Sequence, residues 1–581
     1  MTIHKKDVIR LLEKIAVLME LKGENPFKIA AFRKAANALE TDDRSLALID
    51  DFTKIPGIGK GTSAVIKEYI ETEKSEVLEQ LQEEVPAGLL PLLKLPGLGG
   101  KKIAKLYKEL QIDSVEALKQ ACEENKIQVL AGFGEKTEEK ILAAIEEMGN
   151  RPERLPLAFM LPIAEKIEAY LRQCESIKGF SKAGSLRRMR ETIKDLDFII
   201  STTEPGKVRE QLLAIPALSA IIANGDTKVS VQLSYDYEVN VDFRIVKPEE
   251  FATTLHHFTG SKDHNVRMRQ LAKERGEKIS EYGVENIETN EIKTFATESE
   301  FYEYFNLPHF SPEIREDGTE VDFFTKEMRL IQLEDIKGDL HMHSTWSDGA
   351  FTIREMVEAC RKKGYSYIAI TDHSHYLKVA NGLTPERLRA QREEIKALNE
   401  EYDDMTILAG VEMDILPDGT LDYDDELLSE MDLVIASIHS SFSQPREIIM
   451  SRLKKALENK HVDIIAHPTG RLIGKRNGYD VDIDMLIQLA KETDTALELN
   501  ANPHRLDLSA EHVRKAQEAG VKLVINTDAH NTDMLEDMRV GVATAKKGWI
   551  MSDNVINTWE INKLRTFLNR HHNKSGNKIL S

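Results

Sequence analysis

The chain has little cysteine, no long apolar run and a deficit of basic charge, and each shortage excludes something. Three cysteines occur in 581 residues (Cys122, Cys174, Cys360), odd in number and far apart. That excludes a disulfide framework and a cysteine-rich zinc site, and it fits a reducing cytoplasm. No apolar stretch approaches the roughly 20 residues needed to cross a bilayer, so a membrane span is excluded. The first residues, Met1 to Asp7, lead into an amphipathic helical pattern containing Glu13, Lys14 and Glu20. An unbroken apolar segment of the secretory kind is missing there, so a cytoplasmic protein is expected. Lysine and arginine number 78 against 98 aspartates and glutamates, a formal net charge of −20. A protein that coats nucleic acid by global attraction would carry the opposite balance. If DNA is the partner, backbone amides, helix N-termini or small basic patches must hold it.

What is present is ordinary soluble globular material, 41% hydrophobic and 30% charged. At roughly 150 residues per domain the length implies about four domains. Three segments in the first 150 residues share a pattern: Ile55-Pro56-Gly57-Ile58-Gly59-Lys60, Leu95-Pro96-Gly97-Leu98-Gly99-Gly100-Lys101, and the weaker Leu130-Ala131-Gly132-Phe133-Gly134. Each follows helical periodicity and leads into another amphipathic helix. Glycines at such a turn leave the backbone uncovered, so several N–H groups can converge on one phosphate at the next helix start. The repeats resemble helix-hairpin-helix motifs, which grip the DNA backbone without reading sequence. Gly57, Gly59, Lys60, Gly97, Gly99 and Lys101 are the expected contacts. Amides bind phosphate without changing net charge, which answers the charge objection.

Near Arg151 strand-like runs join the helices. Ala183-Gly184-Ser185-Leu186-Arg187-Arg188 precedes Ile193-Lys194-Asp195-Leu196-Asp197-Phe198-Ile199-Ile200, where apolar residues alternate with Asp195 and Asp197. In a strand, a period of two sends both carboxylates to one face. Glu238-Val239-Asn240-Val241-Asp242-Phe243-Arg244-Ile245 repeats the device with Asp242. Three acids on one sheet face call for divalent cations, and two-metal phosphoryl transfer uses such a cluster. Gly184, Ser185 and Arg188 supply amides, a hydroxyl and a cation for a triphosphate.

Gly-Ser, Asp-x-Asp and a later Asp resemble the nucleotidyltransferase superfamily. His257-Phe258-Thr259-Gly260-Ser261 with Asn265 is similar to the family X DNA polymerases. The resemblance implies that His257 and Phe258, before Thr259-Gly260, crowd the sugar 2′ position and that Asn265 contacts the incoming base. Many relatives have tyrosine where His257 stands, and Val266 replaces a template-stacking lysine. The first hairpin resembles the family's 8-kDa domain, where one eukaryotic member carries a Schiff-base lysine. Val65 holds that register here, so no strong lyase activity by that route is expected.

Ten of the 17 histidines fall between His341 and His530, most of them directly after an apolar strand-like run. His341, His343, His373, Glu412, His439, His467, Asp528 and His530 end or follow six such runs, and Asp348 lies shortly after the first. Strands buried on both faces, each ending in a ligand, put these groups at one mouth of a parallel barrel. Imidazoles and carboxylates together suit zinc, manganese or iron. His461, His504 and His512 read as structural, and His375 fits either role. The spacing resembles the PHP (polymerase and histidinol phosphatase) family, a distorted (β/α)₇ barrel holding up to three metals, and those nine residues match its ligand positions.

Together the resemblances imply a bacterial family X polymerase with a C-terminal PHP domain. The expected fold is multidomain α/β: helix-hairpin-helix units at 1–80 and 81–150, a nucleotidyltransferase palm at 151–248, and a nucleotide-selecting thumb at 249–318. A linker at 319–337 and the PHP barrel at 338–575 complete it. The expected activity is template-directed filling of short gaps in base-excision repair, from dNTPs on gapped or primed DNA with a 5′-phosphate, by a monomer using two Mg²⁺ or Mn²⁺ ions. For the barrel, with Mn²⁺, Zn²⁺ or Fe²⁺, a 3′–5′ exonuclease acting also at abasic sites is expected. A small-molecule phosphomonoesterase and a non-catalytic DNA-positioning scaffold stay open as alternatives.

Overall fold

The computed structural model describes residues 5–40, 42, 46, 49–95, 98–149 and 153–571. The chain divides into two compact units, Met1–Pro152 and Glu153–Ser581.

The first unit is helical: Lys5–Lys22, Pro26–Glu40, Lys60–Thr72, Glu76–Glu84, Gly100–Leu110, Val115–Glu123 and Glu135–Gly149. Apolar residues at helical spacing make its core, as in Val8, Leu11, Leu12, Ile15, Ala16 and Met19 of the first helix. Ser75 and Ser114 cap their helices by accepting from the N–H groups of Leu78 and Ala117. Gly59 and Gly99 stand at the N-caps of Lys60–Thr72 and Gly100–Leu110 with extended backbones and no capping side chain. Gly57 has φ +106°, and a Cβ there would meet Ala38 Cβ at 3.3 Å, so the turn requires glycine. Lys60 and Lys101 are exposed beside these turns, and Gly97 lies outside the described residues.

The second unit begins with a short antiparallel pair, β1 (Leu155–Pro156) with β3 (Thr192–Ile193). The main sheet of this part holds β2 (Gly179–Lys182), β4 (Leu196–Ser201), β5 (Leu218–Asn224), β6 (Lys228–Ser234) and β7 (Glu238–Val246). Its order is β2-β4-β7-β6-β5, with β4 and β7 parallel. Leu196, Phe198, Ile200, Val241, Phe243 and Ile245 pack on helices Leu157–Leu171 and Pro205–Leu212. On the other face Asp197 of β4 and Asn240, Asp242 and Arg244 of β7 stay half-buried, whereas Ile199 and Ser201 are buried.

Helices Phe251–Thr259, Lys262–Glu274 and Glu298–Tyr304 follow, with a small antiparallel sheet of β8 (Glu277–Ser280), β9 (Gly283–Asn286) and β10 (Ile292–Lys293). Their core is aromatic, with Phe295, Phe301, Tyr302, Phe305 and Phe310. A buried ion pair ties this part to the main sheet. Glu298 receives Arg315 Nη1 at 2.7 Å and Arg187 Nη2 at 2.5 Å, and the two guanidinium groups hold its carboxyl well below the usual range against the opposing effect of burial. Residues 319–337 connect this part to the next and pack against both. Val321, Phe324 and Leu330 enter the aromatic core, while Ile331 and Ile336 enter the core of the next part. Their apolar side chains have two cores within reach, so burial fixes a stretch that charge patterning alone leaves open.

The C-terminal part is a seven-stranded parallel sheet in sequential order: β11 (Gly338–Asp339), β12 (Tyr367–Ile370), β13 (Thr406–Asp414), β14 (Leu433–Ser437), β15 (Ile464–Ile465), β16 (Ala496–Asn500) and β17 (Leu523–Asn526). A parallel bridge between Met342 and Ala529 brings its two edges together into a barrel. Alternation divides each strand between two cores. Tyr367 and Ala369 join an inner cluster covered by Leu564, Phe567 and Leu568 of the last helix, whereas Ile368 and Ile370 face the outer helices. No helix among the described residues is long and apolar enough to cross a membrane.

Candidate functional site

The chemistry-bearing residues gather at two places, both in the second unit. At the first, Asp197 of β4 and Asp242 of β7 are direct cross-strand partners. Asp195 immediately precedes β4. Burial, then the charges of Asp242 and Asp195, push the Asp197 carboxyl up to about 6. Lys228 of β6, unremarked in the sequence, answers part of this charge with Nζ 2.8 Å from Asp242 Oδ2. The acids are not drawn into one tight shell of ligand atoms like the groups of the barrel. A crowded acid face that raises its own pKa and recruits a lysine fits the divalent cations expected there.

The loop opposite is close. Gly184 has φ +58°, and a Cβ there would lie 2.2 Å from Asp197 Oδ2, so the Gly184–Ser185 backbone passes against the acid only because that side chain is absent. Arg188 follows, its Nη1 donating to the Thr259 carbonyl and its Nε 3.4 Å from Glu316 Oε1. Gly260 lies beside the Arg188 guanidinium. His257 and Phe258 meet edge to face with ring centres 5.0 Å apart, and Arg244 of β7 stacks over Phe258 at 4.6 Å. Asn265 Nδ2 donates to the His257 carbonyl at 2.7 Å, while its Oδ1 is buried without a hydrogen-bond partner. Asn265 therefore fixes the backbone of the aromatic pair in this state and keeps an acceptor unused.

The second place is the C-terminal mouth of the barrel. Three groups there present ligand atoms within 4.8 Å of one another: His343, Asp348, His373 and His530; His341, His343, Glu412 and Asp528; and His373, Glu412 and His439. His343, Glu412 and His373 each belong to two groups. His467 joins through Nε2, 2.9 Å from Glu412 Oε1. All nine expected ligands thus come together. His341 Nε2, His343 Nδ1 and His373 Nδ1 are buried without a hydrogen-bond partner, a cost that a bound metal removes. The donor set of imidazoles and carboxylates fits such a group. Burial and the neighbouring imidazoles of His530 and His373 push His343 down to about 3, whereas at His439 and His530 burial is outweighed by nearby carboxylates, which raise them to about 10 and about 9.

The outer residues were not legible from strand ends. Glu498, fully buried in β16, lies 2.7 Å from His341 Nδ1 and accepts the His467 N–H at 2.7 Å. Asp414 at the end of β13 lies 3.0 Å from His439 Nδ1. Each carboxylate turns the other ring nitrogen toward the cluster. Asp372 accepts from Ser344, Ser347 and Gln391, which pins the turn carrying Asp348. An acid inside an otherwise apolar strand, such as Glu498 between Leu497 and Leu499, was the available signal. Of the set-aside histidines, His461 is buried, His504 packs edge-on to Phe159 at 5.7 Å, and His375 is exposed. In the first unit Val65 is 6% exposed and belongs to the core, so its register offers no nucleophile to a ligand.

Comparison with known proteins matches this layout. Residues 3–75 match a helix-hairpin-helix domain, 89–147 a SAM-like helix-hairpin-helix tandem, 254–316 the DNA polymerase beta thumb and 339–502 the PHP domain. A probable phosphatase of Thermoanaerobacter sp. (strain X514) is 30% identical over 249 residues, 41% of this chain and 96% of its own length. The "DNA polymerase/3'-5' exonuclease PolX" of Bacillus subtilis (strain 168) is 66% identical over 568 residues, 98% of this chain and all of its own length. With the acid pair, the thumb and the histidine-lined barrel in one chain, the protein belongs to the PolX family of DNA polymerases.

Proposed function

We propose that this protein is a DNA polymerase and 3′–5′ exonuclease that fills short gaps in base-excision repair. The two activities named for the Bacillus subtilis relative would each take one of the two sites. The observation that carries the polymerase is the in-register pair Asp197 and Asp242, faced by the glycine loop at Gly184. Two Mg²⁺ or Mn²⁺ ions, when bound, would neutralise the triphosphate and lower the pKa of the primer hydroxyl. Asp195, Asp197 and Asp242 would hold them, with Asp242 nearest the task of orienting the primer 3′-OH. The amides of Gly184 and Ser185 and the cation of Arg188 bind the triphosphate. His257 and Phe258 exclude a 2′-hydroxyl, and Asn265 addresses the base. Gly57, Gly59, Lys60, Gly97, Gly99 and Lys101 grip the DNA backbone beside the gap.

In the barrel, Mn²⁺, Zn²⁺ or Fe²⁺ would supply Lewis acidity to a phosphodiester. His341, His343, Asp348, His373, Glu412, His439, His467, Asp528 and His530 would hold up to three ions. Glu498 and Asp414 fix the tautomers of His341 and His439 for that purpose. The protein works as a cytoplasmic monomer on gapped DNA bearing a 5′-phosphate, following the nucleoid through its DNA. The domain limits 1–80, 81–150, 151–248, 249–318 and 338–575 assign one task to each part.

The double substitution Asp195→Ala/Asp197→Ala should abolish nucleotide addition on a one-nucleotide gap and spare primer shortening. His341→Ala/His343→Ala should do the converse. Loss of both activities from either pair in a folded protein would refute two independent sites. The probable phosphatase similar to 41% of this chain supports a second reading, a phosphomonoesterase. Release of nucleoside monophosphates from DNA favours the exonuclease, and release of inorganic phosphate alone favours the second reading.

A further inference from the structure

The Glu316 carboxylate is the meeting point of three cations from two parts of the fold. Arg190 Nη1 lies 2.8 Å from Oε2, and Arg188 Nε lies 3.4 Å from Oε1. The third cation, Lys547 Nζ, hydrogen-bonds the same Oε1 and lies 3.4 Å from the Arg188 carbonyl oxygen. Arg188 and Arg190 belong to the loop that precedes the catalytic strand. Lys547, in contrast, ends the barrel helix Met538–Lys547. Arg188, Glu316 and Lys547 are largely shielded, with side-chain exposures of 14%, 22% and 17%, whereas Arg190 is 47% exposed. Three positive charges meet one carboxylate, and Asp197 is the further acid that acts on Arg188, so the cluster keeps a positive excess that favours an anion. The nearest anion site by composition is the triphosphate loop itself.

The backbone that carries Lys547 is anchored on its C-terminal side. Two residues on, Trp549 is 8% exposed and packs on Phe323 and Phe324 with ring centres 4.7 and 4.9 Å away. The N–H of Ile331 donates to the Ile550 carbonyl at 3.0 Å, which ties the connection to the same turn.

We propose that Lys547, although part of the nuclease barrel, is a positioning residue for nucleotide binding at the polymerase site. It shares Glu316 Oε1 with Arg188 Nε and so weakens the carboxylate's hold on that guanidinium, which eases its turn toward the triphosphate. Without the ammonium, Oε1 closes on Arg188 Nε, and an incoming triphosphate must break a charge-assisted pair before it can bind. The inference rests on the polymerase reading and on Arg188 as a triphosphate ligand.

The test uses the full-length protein on a one-nucleotide gap, titrated with the complementary dNTP. Lys547→Met keeps the stem and removes the charge, and Lys547→Gln serves as a second variant should the first misfold. Either should raise the dNTP KM about tenfold and leave kcat within about twofold. Lys547→Arg should restore the wild-type KM. In a Glu316→Gln background, Lys547→Met should no longer change KM. Shortening of the primer without dNTPs should be unaffected in every variant, which reports an intact barrel. An unchanged KM in Lys547→Met, or a rise that persists in the Glu316→Gln background, overturns the proposal. A wild-type protein that adds no nucleotide would instead refute the polymerase reading.

Discussion

At the scale of single residues the acid pair shows how far a strand pattern reaches. Alternation of Asp195 and Asp197 with Leu196 and Phe198 suffices to place one carboxylate on the open face, and the matching alternation around Asp242 places its partner. What alternation cannot supply is the cross-strand neighbour that answers the charge. Lys228 comes from a third strand, and nothing in its own surroundings marks it. Glu498 escapes notice for a related reason, since its partner His341 is 157 positions away. The raised carboxyl of Asp197 has a measurable consequence. Because Asp197 titrates at about 6 in the metal-free protein, protons compete with the cation below that pH. The Mg²⁺ concentration for half-maximal nucleotide addition should rise about tenfold per pH unit below 6 and level off above 7. The folded-state pKa lies above its unfolded value, so ionising Asp197 opposes folding. The metal-free protein should therefore gain stability from this group as pH falls through 6. Mg²⁺ titrations of gap filling between pH 5.5 and 8 would check the first statement. A requirement independent of pH would remove Asp197 from the ion site.

At the scale of elements, the strands were the easiest to read. Their apolar runs end in His, Asp or Glu so regularly that the barrel's mouth follows from chain order alone. The hairpin turns were legible through glycine, because Gly57 adopts a backbone that other residues avoid. In residues 319–337 charged residues interrupt the apolar ones, so the sequence pattern alone does not say where each side chain packs. Only the finished cores decide that Phe324 and Ile331 are buried in different places. Gly184 carries a prediction at this scale. Gly184→Ala puts a methyl where Asp197 Oδ2 stands, so either the loop retreats or the carboxylate turns away. Nucleotide addition should fall by about 100-fold, while primer shortening in the absence of dNTPs stays at the wild-type rate. A fall in both would mean that the methyl damages the fold rather than the geometry of one site.

At the scale of the whole molecule, family comparison separates a thumb at 254–316 from a PHP domain beginning at 339. Physical contact does not respect that seam. Arg471 of the barrel pairs with Glu191 at 2.7 Å, and Trp549 sits inside the aromatic core of the thumb. Such contacts join segments hundreds of residues apart, which no local pattern announces. Since Trp549 is shared, the parts of the second unit should unfold together. Calorimetry of a 153–581 fragment should give a single melting transition, and two resolved transitions would show that the shared indole carries little cohesion. A gene encoding the barrel alone would then expose a tryptophan-sized scar, so transplanting either enzyme from this chain demands resurfacing before it demands any change in chemistry.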